Sequence, residues 1–168
     1  MSIMTVFKNL PDIYCYVTIM PLFQYFYTGG KELDKIVKFL NENVVCSLAT
    51  CKDNVPRATA MEYVMAEGHI IFATDPDSIK ARNLKANNKI SFSAQNMPLF
   101  VTIDGTTETP TEQEIAAYNK TLFERHPEFN DAMAAGMMRP FQYYKIVPKT
   151  AYWNDYSAGM PPTEIIEY

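Results

Sequence analysis

The chain has 168 residues, 48% of them hydrophobic and 20% charged, and its formal net charge is −4. This composition is typical of a folded protein and excludes a disordered one. The net negative charge argues against a nucleic-acid partner, because proteins bind phosphate backbones through basic faces. Three cysteines, an odd count, do not suit a disulfide framework and indicate a reducing, cytoplasmic location.

Residues 1–30 are predicted to form an apolar N-terminal extension, in which only Lys8 and Asp12 are charged. Its apolar run, 13–27, falls short of the ~20 residues that cross a bilayer, so no membrane partner is expected. We favour an extension that covers an apolar patch or a partner subunit. A poorly ordered leader and a membrane or export segment are the alternatives.

Beyond Gly30 the apolar residues follow the periods of helices and strands. Leu33, Ile36, Val37 and Leu40 recur at i, i+3, i+4 and i+7, which is the spacing of one buried helix face. Short apolar runs separated by turn residues then predict five strands, at 44–50, 56–65, 69–74, 89–95 and 99–108.

The last third of the chain begins with a clear helix signal. Thr111 and Glu114 have the spacing of a capping box, and Pro127 is predicted to end the helix that follows. The pattern then predicts a shorter helix and two strands, at 128–135, 141–147 and 150–154. Because successive strands lack intervening helices, the predicted fold class is mostly β with α (α+β), an antiparallel barrel with flanking helices. We expect the barrel domain at 31–154 and a tail at 155–168.

The loop that follows strand 69–74 has the residues of a phosphate site. Residues 75–77, Asp-Pro-Asp, predict a turn, Ser78 stands where a helix begins, and Lys80 falls in its first turn. Free N–H groups at a helix start, joined by a hydroxyl and an ammonium, suit a phosphate. Arg57, at the start of its strand, can direct two donors at the same group. The plainer interpretation is that Ser78 caps a helix and that both cations are solvated.

Three blocks of the sequence together resemble the FMN-binding split barrel of the pyridoxamine 5′-phosphate oxidase-like superfamily. They lie at 45–50, at 56–60, and at 71–74 with 78–80, and their order and spacing agree with that family. The resemblance covers about residues 31–154. It implies a homodimer of six-stranded split barrels with one FMN at each end of the interface.

The same resemblance implies roles for individual residues. It places the phosphate with Arg57, Ser78 and Lys80. It assigns backbone contacts with the isoalloxazine edge to Ala58, Thr59 and Ala60. It assigns the lining of the other side of the ring to Phe72, Ala73 and Thr74. It also places Trp153, the single tryptophan, near the flavin of the partner subunit. A rim aromatic on an edge strand is the alternative for Trp153.

The function implied is that of an FMN-dependent oxidoreductase whose partner is a small-molecule substrate or NAD(P)H. The oxidases of the family grip pyridoxamine phosphate with Arg-x-His just after this tryptophan, but residues 155–162 hold neither arginine nor histidine. That activity is therefore not expected. The alternative is a flavin- or haem-binding module without turnover, in which His69 or His126 would be the candidate haem ligand. A deazaflavin in place of FMN is a variant of the oxidoreductase. His69, after a turn glycine, is expected at the surface, and no metal site or catalytic residue is predicted.

Overall fold

A computed structural model describes residues 30–137 and 139–168. The elements in chain order are α1 (Gly30–Glu42), β1 (Val45–Lys52), β2 (Val55–Glu62), β3 (Val64–Ala66), β4 (His69–Thr74), α2 (Ile79–Ala86), β5 (Lys89–Asn96), β6 (Leu99–Glu108), α3 (Glu112–Arg125), α4 (Pro127–Ala134), β7 (Gln142–Asp155) and β8 (Glu164–Glu167). The apolar run predicted at 13–27, with the rest of the extension up to residue 29, lies outside the described residues.

The strands form one antiparallel sheet in the order β2-β1-β5-β6-β7-β4-β3, with β8 beside β7. The sheet curls into a split barrel flanked by helices, which confirms the predicted α+β fold class. The predicted apolar stripe of α1 covers the barrel interior: Leu33, Ile36 and Leu40 are buried in one cluster with strand residues such as Leu48 and Phe92. None of the helices within the described ranges is long and apolar enough to cross a membrane.

The strand predicted at 56–65 is two strands, because the chain breaks at Tyr63. This side chain is fully buried, and its hydroxyl donates a hydrogen bond to the Leu40 carbonyl at 3.0 Å. Its backbone N–H donates to the Val44 carbonyl at 2.9 Å. These bonds anchor the chain beneath α1, so β2 stays beside β1 while β3 turns away to pair with β4.

The two strands predicted at 141–147 and 150–154 are one strand, β7. β7 has one extra residue, Lys149, opposite the step from Asp104 to Gly105 in β6, so β7 bulges there and its pairing with β6 continues on both sides. β8 lies within residues 155–168, where the sequence predicts a tail and no strand. It pairs with β7 and is tied to α1 by an ion pair between Lys35 and Glu164.

The helix beginning with the capping box is confirmed. The Thr111 hydroxyl accepts from the Glu114 N–H, and the Glu114 carboxylate accepts from the Thr111 N–H at 2.6 Å. α3 ends at Arg125 with His126 as its C-cap, and Pro127 is the first residue of α4. This agrees with the tolerance of proline in a first helical turn, where no N–H bond is needed.

Candidate functional site

Three polar side chains converge where β4 leads into α2. Ser78 is the N-cap of α2, and its hydroxyl accepts a hydrogen bond from the Ala81 N–H at 3.2 Å. The hydroxyl oxygens of Thr74 and Ser78 lie 3.1 Å apart, and the Lys80 ammonium donates to the Thr74 hydroxyl at 3.2 Å. The structure therefore brings a hydroxyl pair and an ammonium to the positive end of a helix.

The turn before Ser78 is built by local hydrogen bonds. The Asp75 carboxylate accepts from the Asp77 N–H at 2.7 Å, and the Asp75 carbonyl accepts from the Ser78 N–H at 3.0 Å. Such a side-chain bond two residues on is the usual way an aspartate starts a turn. The side chain of Arg139, which precedes β7, forms an ion pair with Asp77 and lies 4.0 Å from Asp75. The turn is thus held at both of its carboxylates.

Arg57 lies on the same face of the sheet as α2. It is paired across strands with Thr50, so the two side chains share a face. Thr50 is buried beneath α2, where its hydroxyl accepts from the Asn83 amide at 3.0 Å. Arg57 itself is exposed and makes no ion pair with any residue in the described part of the chain. The guanidinium is therefore available on the side of the sheet where Ser78 and Lys80 meet.

The strand carrying Ala58, Thr59 and Ala60 lies at the edge of the sheet. β2 pairs with β1, and within the described ranges its other edge has no strand beside it. Ala58 and Ala60 are exposed and point to the outer face, whereas Thr59 is half-buried opposite Leu48. Backbone N–H and C=O groups along this edge are open, and the alanines leave room for a flat group to approach.

The three predicted residues of β4 divide between the core and the polar cluster. Phe72 is fully buried and stacks on Tyr144, with ring centroids 5.2 Å apart. Ala73 is half-buried and packs against the cluster under α3. Only Thr74 joins the cluster at the start of α2. The side chains of Phe72 and Ala73 thus stabilise the barrel, while Thr74 belongs to the candidate site.

Trp153 lies away from this cluster within one chain. It stands in β7, four strands from β2 in the sheet order, and it is buried rather than at a rim. Phe39 meets its ring edge-on with centroids 5.5 Å apart, and the Lys35 ammonium lies 5.5 Å from its centroid. The ring lines a cavity of about 310 Å³ between α1 and β8. These neighbours of Trp153 thus belong to α1 and β8, and the described contacts do not join it to the polar cluster at the start of α2 or to Arg57.

A second cavity, of about 350 Å³, opens on the outer face of the barrel. Its lining includes outward-facing residues of three neighbouring strands, among them Ser47, Ala60, Ser93 and Gln95. Sequence reasoning assigned only Ala60 to a site; the alternation of β1 and β5 marks the others as outward-facing, but nothing in it marks a cavity. Cys46 also borders it, and burial raises the pKa of this thiol to about 12, so it stays protonated.

The two histidines are both engaged. The surface position expected for His69 is wrong: its side chain is largely covered, because α3 packs over the start of β4. The Nδ1 atom of His69 lies 2.9 Å from the Glu114 carboxylate, which Lys145 also contacts at 3.1 Å. Burial lowers the pKa of His69 despite this carboxylate. His126 lies with Nε2 2.8 Å from Glu62 and Nδ1 3.4 Å from Glu128. The hydrogen bond with Glu62 raises the pKa of His126.

Comparison with known proteins gives one family and many similar folds. The family model for pyridoxamine 5′-phosphate oxidase matches residues 33–154. Similar solved structures include a conserved hypothetical protein from Mycobacterium tuberculosis, 24% identical with a TM-score of 0.63 over 78% of this chain and 89% of that one. Comparison with curated protein sequences found no match.

Two further solved structures have names that state a ligand. A heme binding protein from Mycobacterium smegmatis is 19% identical, with a TM-score of 0.58 over 74% of this chain and 53% of that one. This chain therefore spans about half the length of that protein. A FAD-binding protein from Mesorhizobium loti is 21% identical, with a TM-score of 0.53 over 70% of this chain and 89% of that one. At these identities the likeness shows a shared fold.

Proposed function

Since the chain belongs to the pyridoxamine 5′-phosphate oxidase family, we propose that it binds FMN at the start of α2 and along β2, and that it is an oxidoreductase acting on a small molecule. The observation that carries this proposal is the meeting of Ser78, Lys80 and Thr74 at a helix N-terminus, with Arg57 exposed on the same face of the sheet. The flavin-binding relative from Mesorhizobium loti supports the same cofactor class.

The donor set suits the phosphate of FMN. The first N–H groups of α2 lack partners within the helix and carry a partial positive charge. Lys80 and Arg57 supply two full positive charges, and Ser78 supplies a hydroxyl. Charge-assisted hydrogen bonds to a dianion are about twice as strong as neutral ones. A phosphate is thus the ligand that satisfies these groups together.

The neighbouring strand suits the ring of the cofactor. The open edge of β2 offers backbone donors and acceptors, and Ala58 and Ala60 keep side-chain bulk away from it. Bound FMN would supply hydride or single-electron transfer, chemistry that belongs to the cofactor. The contribution of this chain is to hold the phosphate, to orient the ring along β2 and to shape the space beside it.

We also propose that the protein is a C2 homodimer. An exposed edge strand such as β2 normally requires cover, and a second copy can supply it. The resemblance to the family places Trp153 near the flavin of the partner chain, and its strand β7 lies four strands from β2 in the sheet order. Size-exclusion chromatography with light scattering tests this proposal, because a monomer that still binds FMN tightly contradicts it.

The contacts of the histidines favour flavin over haem. An axial haem ligand needs an imidazole nitrogen free to reach the iron. Both ring nitrogens of His126 face carboxylates, and Nδ1 of His69 faces Glu114 in a largely covered position. The absorption spectrum of the purified protein separates the candidates: flavin bands support FMN, whereas a sharp Soret band supports haem. Mass analysis of the released cofactor separates FMN from a deazaflavin.

Pyridoxamine phosphate is not the proposed substrate. The segment after Trp153, residues 155–162, carries no cationic side chain to hold a second phosphate. We expect no useful turnover, and a kcat/KM of about 10⁴ M⁻¹s⁻¹ or more would show the proposal to be wrong on this point. Bleaching of the flavin by NADH or NADPH under anaerobic conditions would identify the electron donor and distinguish a reductase from a passive carrier.

The decisive experiment compares FMN with riboflavin, which lacks the phosphate. Loss of one charge-assisted contact costs roughly 1.5–3 kcal/mol, so Arg57→Ala and Lys80→Ala should each weaken FMN binding by about one to two powers of ten. Riboflavin should bind weakly to the wild type and should be nearly indifferent to both changes. Lys85→Ala, which removes a cation from the last turn of α2, is the matched control. Unchanged FMN affinity in both site variants would place the cofactor elsewhere.

A further inference from the structure

The proposed phosphate site has two carboxylates beside it. Asp75 and Asp77 precede Ser78 in the turn that starts α2, and both are exposed. Unpaired, they would repel a dianion held by Ser78 and Lys80. Within the described residues, Arg139 is the one cation that lies within ion-pair distance of either carboxylate.

We propose that Arg139 is a positioning residue for the cofactor phosphate, acting by pairing with Asp77 so that this carboxylate neither repels the phosphate nor competes for its donors. The proposal rests on the function proposed above, because it takes the phosphate to lie at the start of α2.

The two carboxylates have different tasks. Asp75 accepts the Asp77 N–H and its carbonyl accepts the Ser78 N–H, so it is fixed as part of the turn. The Asp77 carboxylate has Arg139 as its partner among the described residues. Without Arg139, the Asp77 side chain can rotate toward the cations of the proposed phosphate site or toward the free N–H groups of α2. The guanidinium therefore acts mainly through Asp77.

The fold itself brings Arg139 to this turn. Thr74, the last residue of β4, is the register partner of Gln142, the first residue of β7. Arg139 stands three residues before Gln142, and Asp77 stands three residues after Thr74. Both residues thus leave the same end of the β4–β7 ladder, and a long, planar side chain can bridge the two connections.

A double-mutant cycle tests the proposal, with FMN and riboflavin affinities measured in the full chain for Arg139→Ala, Asp77→Asn and the double variant. Exposed ion pairs have modest effects, so Arg139→Ala should weaken FMN binding by about threefold to fivefold and leave riboflavin binding unchanged. Asp77→Asn should bind FMN at least as tightly as the wild type, and the double variant should match Asp77→Asn. Arg139→Lys keeps the charge and should retain most of the affinity. The loss in Arg139→Ala should shrink at high salt.

Other results would overturn the proposal in recognisable ways. An equal loss of FMN affinity with and without Asp77→Asn would mean that Arg139 touches the phosphate directly. An equal loss for FMN and riboflavin would mean a structural role, and no loss would mean no role. Lys80→Ala and Arg57→Ala belong in the same series: if they lose FMN and Arg139→Ala does not, only this inference fails. If none of them loses FMN, the phosphate site itself is wrong.

Discussion

Gly105→Ala should destabilise the barrel strongly, although it adds a single methyl group. Gly105 of β6 is the register partner of Pro148 in β7, at the point where the register of the two strands shifts. A Cβ there would come within 2.2 Å of the Val147 carbonyl oxygen and 3.1 Å of the Pro148 Cα. The three nearest atoms are all backbone, so moving a side chain aside does not relieve the closest contact.

The loss of stability comes from the backbone displacement that the added methyl group forces. The oxygen is about 0.8 Å closer than the 3.0 Å limit below which real Cβ contacts essentially do not occur, so β6 and β7 must separate locally. Separation weakens the backbone hydrogen bonds on either side of the bulge, each worth about 0.5–1.5 kcal/mol net, and more when a buried group is left unpaired. Overpacking of rigid surroundings adds about 1–3 kcal/mol. We expect a loss of roughly 3 kcal/mol in the free energy of unfolding.

Urea denaturation at fixed protein concentration measures this loss, and thermal unfolding should show a midpoint lower by roughly 6–12 °C. Gly136→Ala is the matched control: its φ of +68° strains an alanine, but among the described residues no atom lies within 4 Å of the added Cβ. It should cost only about 1–2 kcal/mol. If Gly105→Ala is no worse than Gly136→Ala, the bulge is not the rigid contact described above.

Three further outcomes are expected. Asn83→Ala should lower the free energy of unfolding by about 1–3 kcal/mol in the same urea assay, because it leaves the buried Thr50 hydroxyl without its partner. Because the bond with Glu62 raises the pKa of His126, that interaction stabilises the fold fully below the unfolded value of 6.5 and fades as pH rises through the folded value. The stability difference between the wild type and His126→Gln should therefore shrink from pH 6 to pH 9, and a constant difference would contradict the ion pair. Deletion of residues 1–30 should cause aggregation or loss of the dimer, as size-exclusion chromatography would show; a soluble, flavin-loaded dimer would refute a role for that segment.

The elements that the sequence predicts well depend on neighbours in the chain. The apolar stripe of α1, the N-cap at Ser78 and the capping box at Thr111 are set by contacts a few residues apart. Strand ends that depend on distant contacts were less accessible. The break at Tyr63 needs the Leu40 carbonyl from α1, and a single continuous β7 needs β6, which pairs with it on both sides of its bulge.

The candidate site divides in the same way. Ser78 and Lys80 carry a local signal of helix start and charge, and likeness to a family linked Arg57 with them. The contact of Arg139 with Asp77 joins residues 62 positions apart, so no local sequence pattern predicts it. The covered position of His69 likewise follows from the packing of α3, since a turn glycine before it would favour exposure.

The division of β7 makes the single tryptophan a selective reporter. One edge of β7 is bonded to β6, while the other is shared between β4, at residues 142–145, and β8, at residues 150–153. Trp153 is the register partner of Glu164, whose side chain holds Lys35 across the ring. Fraying of the last strand should therefore expose the indole to quenchers such as acrylamide while the β4–β7 ladder stays closed. Fluorescence quenching would then follow the opening of the C-terminal strand separately from global unfolding.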